Sequence, residues 1–330
     1  MNYRIRRRRF GQILLASTAA VAAVFAKPAK KTQAQEASLA QEASLAQEVK
    51  GPSHIYGVSV DSNGNLVIQS LDLKNGKIKD LSARAKGFKL DANERLTGFT
   101  LLTDGNTLLW STAPTTSVSV EKPTKQSRFS LALISPPTQT APQTQAASPL
   151  ALPALSGLNQ SSTVESLLAN KDGSLLSIVS LKLGTPPFRL ANLDPQTGQV
   201  GFIDDFNQIS NDDLPPPGAF VLPPQRRHSN LAQNSNGTIY ATSLGREGYT
   251  SLIQIDLQQR QLLSLARLTF NNRPLLNDLA SLAFSPEGQL YALGDPTYQG
   301  TNSLFTIDPN TGAMTFVIAF AVNKITFNRP

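Results

Sequence analysis

The 330-residue chain contains no cysteine. That excludes disulfides, thiolate metal sites, a cysteine nucleophile and a lipid-modified N-terminal cysteine. Histidine is scarce: His54 and His228 are the only two, and they stand too far apart to form a metal-spaced pair. Trp110 is the single tryptophan. Charged residues make up only 16% of the chain, and the formal charge of +7 misleads about partners. Residues 1–26 hold five arginines (Arg4, Arg6, Arg7, Arg8, Arg9) and no acid. Without them, 25 of the 30 basic residues face 23 acids, which gives no reason to expect nucleic-acid binding. A serine elbow and a glycine-rich phosphate loop are also missing.

What is present begins with a leader. Arg4–Arg9 form a basic stretch, Ile13–Phe25 an apolar, alanine-rich one, and Val24-Phe25-Ala26 a small-x-small cleavage pattern that makes Lys27 the mature start. The apolar run is too short for a membrane span. Residues 1–26 are therefore expected to direct export to a periplasmic, extracellular or equivalent lumenal compartment. Arg8-Arg9-Phe10 resembles a twin-arginine signal, and the general export route stays open beside it. In residues 27–52, Glu36-Ala37-Ser38-Leu39-Ala40-Gln41 repeats directly as Glu42–Gln47. Two leucines are too few for a coiled-coil seam, so this segment reads as a flexible tether.

Residues 53–330 read as one repeat domain. Four segments run into a turn glycine: Gly105, Gly173, Gly237 and Gly288. An apolar pair follows each: Leu109-Trp110, Leu175-Leu176, Ile239-Tyr240 and Leu290-Tyr291. Asp-Gly and Asn-Gly turns suit tight hairpins between buried strands. A second motif, Leu304-Phe305-Thr306-Ile307-Asp308-Pro309-Asn310-Thr311-Gly312, returns at Leu190–Gly198 and more weakly around Asp256 and Asp72. Aspartate caps such a turn through its own side chain, so turn chemistry outweighs a metal-ligand reading. A period of roughly 40–60 residues indicates a propeller or solenoid.

The first copy lacks its first strand, and the C-terminus carries a spare one, Ile325-Thr326-Phe327-Asn328. Ring closure solves both problems by making the last segment the innermost strand of the first blade. The expectation is an all-β propeller of five blades, at about 54–92 plus 323–330, 93–160, 161–225, 226–275 and 276–322. A second register takes Ile55–Val60 as a first strand and would give six. Ser111–Ser127, Ser135–Pro149 and Asn211–Pro224 read as surface insertions.

Leu282-Ala283-Phe284-Ser285-Pro286-x-Gly288-x-Leu290-Tyr291, followed by Leu304-Phe305-x-Ile307-Asp308-Pro309-x-Thr311-Gly312, resembles secreted bacterial β-propellers with Leu-Tyr-x-Ile-Asp-Pro-x-Thr-Gly repeats. The resemblance implies fold far more than activity. The tryptophan that quinoprotein propellers place after the turn glycine is absent, so no cofactor is expected. The Trp-Asp signature of WD-type propellers is missing too.

In a propeller the first strands line a central channel, and ligands sit at its mouth on a rigid scaffold. The repeat alignment places Arg95, Thr163, Arg227 and Asp278 at one level there, His228 one residue deeper, then Glu165, then Lys324. Arg95, Arg227, His228, Asp278 and Lys324 are the expected ligand-binding set, suited to an anionic or sugar-like ligand. Glu165, His228 and Asp278 are the candidate acid–base groups of an alternative, a hydrolase or lyase. Strand alternation turns every second residue toward the channel, but the sequence leaves open which ones. Asp204-Asp205 and Asp212-Asp213 do not resemble a calcium loop, so no metal is expected. Tyr249 and Tyr298 fall in loops where they would stack on a sugar or a partner surface. The leading function is non-catalytic binding of a protein or carbohydrate by an exported monomer. A purely structural role at the cell envelope is a third reading.

Overall fold

The computed structural model describes residues 54–82, 88–105, 107–115, 127–133, 150–151, 155–170, 173–205 and 218–327, with 128–133 and 150–151 as backbone only. The leader, the tether, Asp212-Asp213 and most of the three expected insertions lie outside the described residues.

The described residues are all β, without an α-helix, and none forms a helix long and apolar enough to cross a membrane. The chain opens with β1 (His54–Val60), β2 (Leu66–Asp72) and β3 (Ile78–Asp80). A second group is β4 (Glu94–Leu101), β5 (Thr107–Pro114), β6 (Arg128–Leu133) and β7 (Leu150–Ala151). A third is β8 (Thr163–Ala169), β9 (Leu175–Lys182), β10 (Thr185–Leu193) and β11 (Val200–Phe202). The fourth is β12 (Arg227–Gln233), β13 (Ile239–Leu244), β14 (Thr250–Asp256) and β15 (Gln261–Arg267). A short hairpin follows, β16 (Thr269–Phe270) and β17 (Arg273–Pro274), before β18 (Ser281–Phe284), β19 (Leu290–Gly294), β20 (Ser303–Ile307) and β21 (Ala313–Ala319). The last strand is β22 (Lys324–Phe327).

Among the described residues these strands assemble into five sheets. Four are antiparallel groups of four, and β22 is the edge strand of the first, in the order β22-β1-β2-β3. It pairs Phe327 with Ile55 and Lys324 with Val58. Ile55–Val60 is thus flanked by β22 on one side and β2 on the other. The fifth sheet has six strands, because β16 adds in parallel to the outer edge of β21, Thr269 beside Ala313 and Phe270 beside Met314.

The turns are the reason that the strands end where they do. In the strong copies of the second motif the aspartate Oδ1 accepts from the amide two residues on, Gln196 at 2.8 Å and Asn310 at 2.9 Å, and Gly198 and Gly312 close on the aspartate carbonyl at 2.8 Å. Asp72 and Gly76 do the same. These glycines have φ between 69° and 74°, which disfavours any residue with a Cβ. The weak copy puts Arg260 there instead, at φ 52°. Its guanidinium offers a reason for that strained choice. It reaches the Asp205 carboxylate and the Ile203 carbonyl in the preceding sheet, with Phe220 beneath it at 5.0 Å.

The innermost strands β22, β4, β8, β12 and β18 touch one another in that order, and β18 touches β22 again. A side chain bridges each junction. Leu101 N donates to Thr326 Oγ1, Ala169 N to Thr100 Oγ1 and Leu231 N to Ser166 Oγ. Asn230 Nδ2 donates to the Leu279 carbonyl, and Ile325 N to Ser281 Oγ. Five apolar clusters fill the seams between successive sheets; the last joins Ile325 and Phe327 to Leu293, Leu304, Phe320 and Val322. This is a β-propeller. At the end carrying the β8–β9 and β12–β13 turns, the inner strands leave only about 30 Å³ between residues such as Thr100, Leu168, Leu231 and Thr326, room for about one water.

Of the expected insertions, one begins later and another ends earlier than the sequence suggested. Ser111–Pro114 continue β5, with Ser111, Thr112 and Ala113 buried. Their hydroxyls made the segment look exposed, but Ser111 Oγ lies 2.9 Å from Thr97 Oγ1 inside the fold. Within the expected 211–224 loop, Phe220, Val221 and Leu222 are core residues between the third and fourth sheets.

Candidate functional site at the channel mouth

The mouth is built at the opposite end of the inner strands, where β9 turns into β10 and where each sheet hands over to the next. Three inner strands carry a bulge there. The extra residue is Thr97 in β4 and Glu165 in β8, and the pairing of β12 slips between Ser229 and Ala232, with Asn230 at φ 59°. A bulge breaks the two-residue alternation and re-aims side chains. In β8, Thr163 and Glu165 share the channel-side face, and Thr163 Oγ1 donates to Glu165 Oε1 at 2.6 Å.

Two ion pairs face the opening. Arg95 Nη2 donates to Glu165 Oε1 at 2.6 Å, with Glu165 only 3% exposed. The Leu183-Gly184 turn of the β9–β10 hairpin lies over this pair. A Cβ on Gly184, whose φ is 81°, would stand 2.6 Å from Arg95 Nη2. Arg227 Nε lies 3.4 Å from Asp278 Oδ2, and Arg227 is 45% exposed. Asp278 is further tied by Ser229 Oγ at 2.7 Å, Thr242 Oγ1 at 3.1 Å and the Leu279 amide at 2.9 Å.

Lys324 is half-buried and its Nζ donates to the Ala280 carbonyl at 2.6 Å. No carboxylate stands within ion-pair distance of it among the described residues. Burial is the main reason that its pKa falls from the ordinary 10.5 to about 8. Asp278 and Glu165 partly oppose that shift, whereas Arg95 and Arg227 add to it. Lys324 therefore feels the charge of the other four groups. Three cations meet two carboxylates, and each carboxylate is already satisfied by an arginine and hydroxyl donors.

His228 is not part of this group. Arg227 and Ser229 lie on the channel side of β12, so alternation sends His228 to the other face. It is fully buried between the third and fourth sheets, with the Phe188 ring edge-on at 6.1 Å. Its Nε2 donates to the Pro223 carbonyl at 3.2 Å and Nδ1 has no partner. Burial, with the Arg226 charge adding to it against the Pro223 hydrogen bond, lowers its pKa from 6.5 to about 4. It cannot serve as a base or ligand at the mouth. It does make stability pH-dependent. The unfolded chain binds the proton below pH 6.5 and the folded one only near pH 4, so stability falls as pH drops through that window. At roughly 1.4 kcal/mol per pKa unit the loss approaches about 3 kcal/mol. Urea titrations at pH 7 and pH 4.5 check this, and His228→Gln, which keeps a donor for Pro223, should flatten the difference.

Asp204 and Asp205 are consumed by Arg189 and Arg260. Among the described residues no three His, Asp or Glu side chains gather as a metal cluster. His54, at the start of β1, lies away from the mouth set; its Nδ1 is buried without a partner.

No known protein family matches the sequence, and no curated protein does. Solved structures that resemble the fold include TolB from Acinetobacter baumannii, at TM-score 0.43 and 16% identity over 88% of this chain and 59% of that one. AofleA from Arthrobotrys oligospora gives 0.42 and 12%, over 83% of this chain and 70% of that one. Dipeptidyl peptidase 4 from Porphyromonas gingivalis gives 0.34 and 11%, over 82% of this chain and 39% of that one.

Proposed function

We propose that this chain is an exported five-bladed propeller that holds a carboxylate-bearing ligand at its channel mouth without transforming it. Residues 1–26 act as the export signal, residues 27–52 as a tether, and the folded domain works as a monomer in a periplasmic or extracellular compartment. The five sheets and five seams, closed by β22 on β1, support the blade count.

One observation carries the functional reading. Both mouth carboxylates are engaged as acceptors, Glu165 by Arg95 and Thr163, Asp278 by Arg227, Ser229, Thr242 and a backbone amide. Neither is placed as a free acid or base, and His228 is sealed away from the mouth. What the site leaves over is positive: the exposed part of Arg227, the rim-facing Arg95 and Lys324 below. A planar guanidinium accepts a carboxylate through paired donors, and a lysine deeper in the channel adds a point charge in a poorly solvated setting. An acidic sugar meets both requirements, its carboxylate facing the cations.

Calorimetric titration with trigalacturonate tests this. Saturable binding is expected, weakened at least tenfold by Arg227→Ala, with no product after prolonged incubation. Neutral maltotriose should not compete. Equal affinity for the neutral sugar, or cleavage of the acidic one, would sink the reading.

A further inference from the structure

A second concavity lies on the same face, between the fourth and fifth sheets. It holds about 850 Å³ and runs between the β16–β17 hairpin and the β19–β20 loop. Neither wall is loose. The hairpin turns through Asn271 and Asn272, at φ 51° and 59°, the two-residue turn that matches strand twist. In the opposite wall Asp295 organises its own loop: Gly300 N donates to Asp295 Oδ2 at 2.6 Å, and Asn277 Nδ2 donates to the Asp295 carbonyl at 2.8 Å. This bracing holds Tyr298 at φ 55°, unusual for a bulky residue, with 65% of it exposed.

The lining is apolar and cationic. Leu276 is 55% exposed, and Pro274 and Pro296 stand on the two walls. Behind the Tyr249 wall, and outside the lining itself, the Arg267 guanidinium stands over the ring, 4.2 Å from its centre. Arg273 is exposed on the rim and makes no ion pair among the described residues. No carboxylate lines the groove, and the nearest acid in sequence, Asp295, is turned to its own loop. Unpaired Arg273 beside exposed tyrosine and leucine, with rigid walls, suits an extended chain whose apolar residues enter the groove and whose acids meet Arg273 on the rim. Polyproline conformation is pre-extended and packs against tyrosine at little entropic cost. A sugar would leave Leu276 and the two prolines facing hydroxyls.

We propose that this groove docks an acidic, proline-containing linear peptide of a partner protein. The proposal does not depend on the channel mouth holding a ligand. Its test is fluorescence polarisation of the whole exported domain with a fluorescein-labelled decapeptide built from aspartate, proline and leucine. A control peptide carries lysine in place of aspartate. Saturable binding of the acidic peptide alone is expected, weaker in high salt. Tyr298→Asn removes the ring yet tolerates the backbone conformation, and Arg273→Glu reverses the rim charge; each should weaken binding at least tenfold. Arg227→Ala, at the mouth, should leave it unchanged. Absence of saturable binding, equal binding of the lysine control, or indifference to both groove variants would overturn the proposal. So would loss of binding in Arg227→Ala, or a glycan that displaces the peptide from the groove.

Discussion

A chain that stops at Asn323 is expected not to fold. The deletion removes β22 and with it the inner hydrogen-bonding partner of β1 along Ile55–Val58. Ile325 and Phe327 also leave the seam between the first and fifth sheets, where both are buried with Ile55, Leu71 and Phe320. Each such side chain is worth about 1.5–3 kcal/mol of burial, so about 5 kcal/mol goes before any hydrogen bond is considered. Two of the five inner-strand bridges, Thr326 to Leu101 and Ser281 to Ile325, go as well. A domain is stable by about 5–15 kcal/mol in all, so the loss takes most or all of it. Far-UV circular dichroism and urea unfolding of the shortened chain check this. Phe327→Ala is the graded version, expected to cost about 3–5 kcal/mol. A shortened chain that unfolds cooperatively within about 1 kcal/mol of the full one would mean that closure by β22 is not what holds the sheets together.

Asp204→Ala is expected to cost about 3–5 kcal/mol, the usual penalty for removing one partner of a buried ion pair. Arg189 is 6% exposed and Asp204 not at all. Arg189 Nε and Nη2 both donate to Asp204 Oδ1, at 2.9 and 2.6 Å, while Oδ2 accepts from the Leu190 amide at 2.9 Å. The guanidinium also stacks over Phe202 at 3.9 Å. Removing the carboxylate takes the acceptor from two guanidinium nitrogens and from the Leu190 amide at once. Arg226–Glu247 is the control, since its partners are 27% and 49% exposed. Glu247→Ala should leave the urea midpoint close to that of the unaltered chain, as expected for a solvent-exposed pair. Urea midpoints of the two variants, at constant slope, give the comparison directly.

These two effects mark how much the sequence could say. The pairing of Ile325–Phe327 with β1 was legible because turn chemistry is local: an aspartate that caps its own turn and a glycine two or more residues on recur whatever surrounds them. Counting strands from those turns left the first sheet one short and the C-terminus one over. The channel mouth was legible only in outline. Arg95, Glu165, Arg227, Asp278 and Lys324 come together, but His228 does not, because simple counting along β12 cannot say which residues face inward. Bulges at Thr97, Glu165 and beside Asn230 shift the count strand by strand, and a bulge leaves no signature in a single sequence. Gly184 was missed for a related reason. Leu183-Gly184 reads as an ordinary hairpin turn, and nothing local says that it roofs the Arg95–Glu165 pair. Phe220 and Leu222 were hidden by their proline-rich company. The β16 strand escaped notice because two residues in parallel pairing have no pattern to read.

In the proposed function, the channel mouth binds an anion through a cation cluster in which Lys324 has no carboxylate partner among the described residues. The dissociation constant of trigalacturonate, measured from pH 6.5 to 9.5, tests it most directly. The ligand favours charged Lys324, whose pKa in the free protein is about 8. Affinity should therefore be constant below about pH 7 and fall by up to tenfold per pH unit above about pH 8, as deprotonation competes with binding. Lys324→Met should bind more weakly and show no such slope. A wild-type affinity that stays flat to pH 9.5, or a Met variant that keeps the full affinity, would mean that Lys324 takes no part in holding the anion.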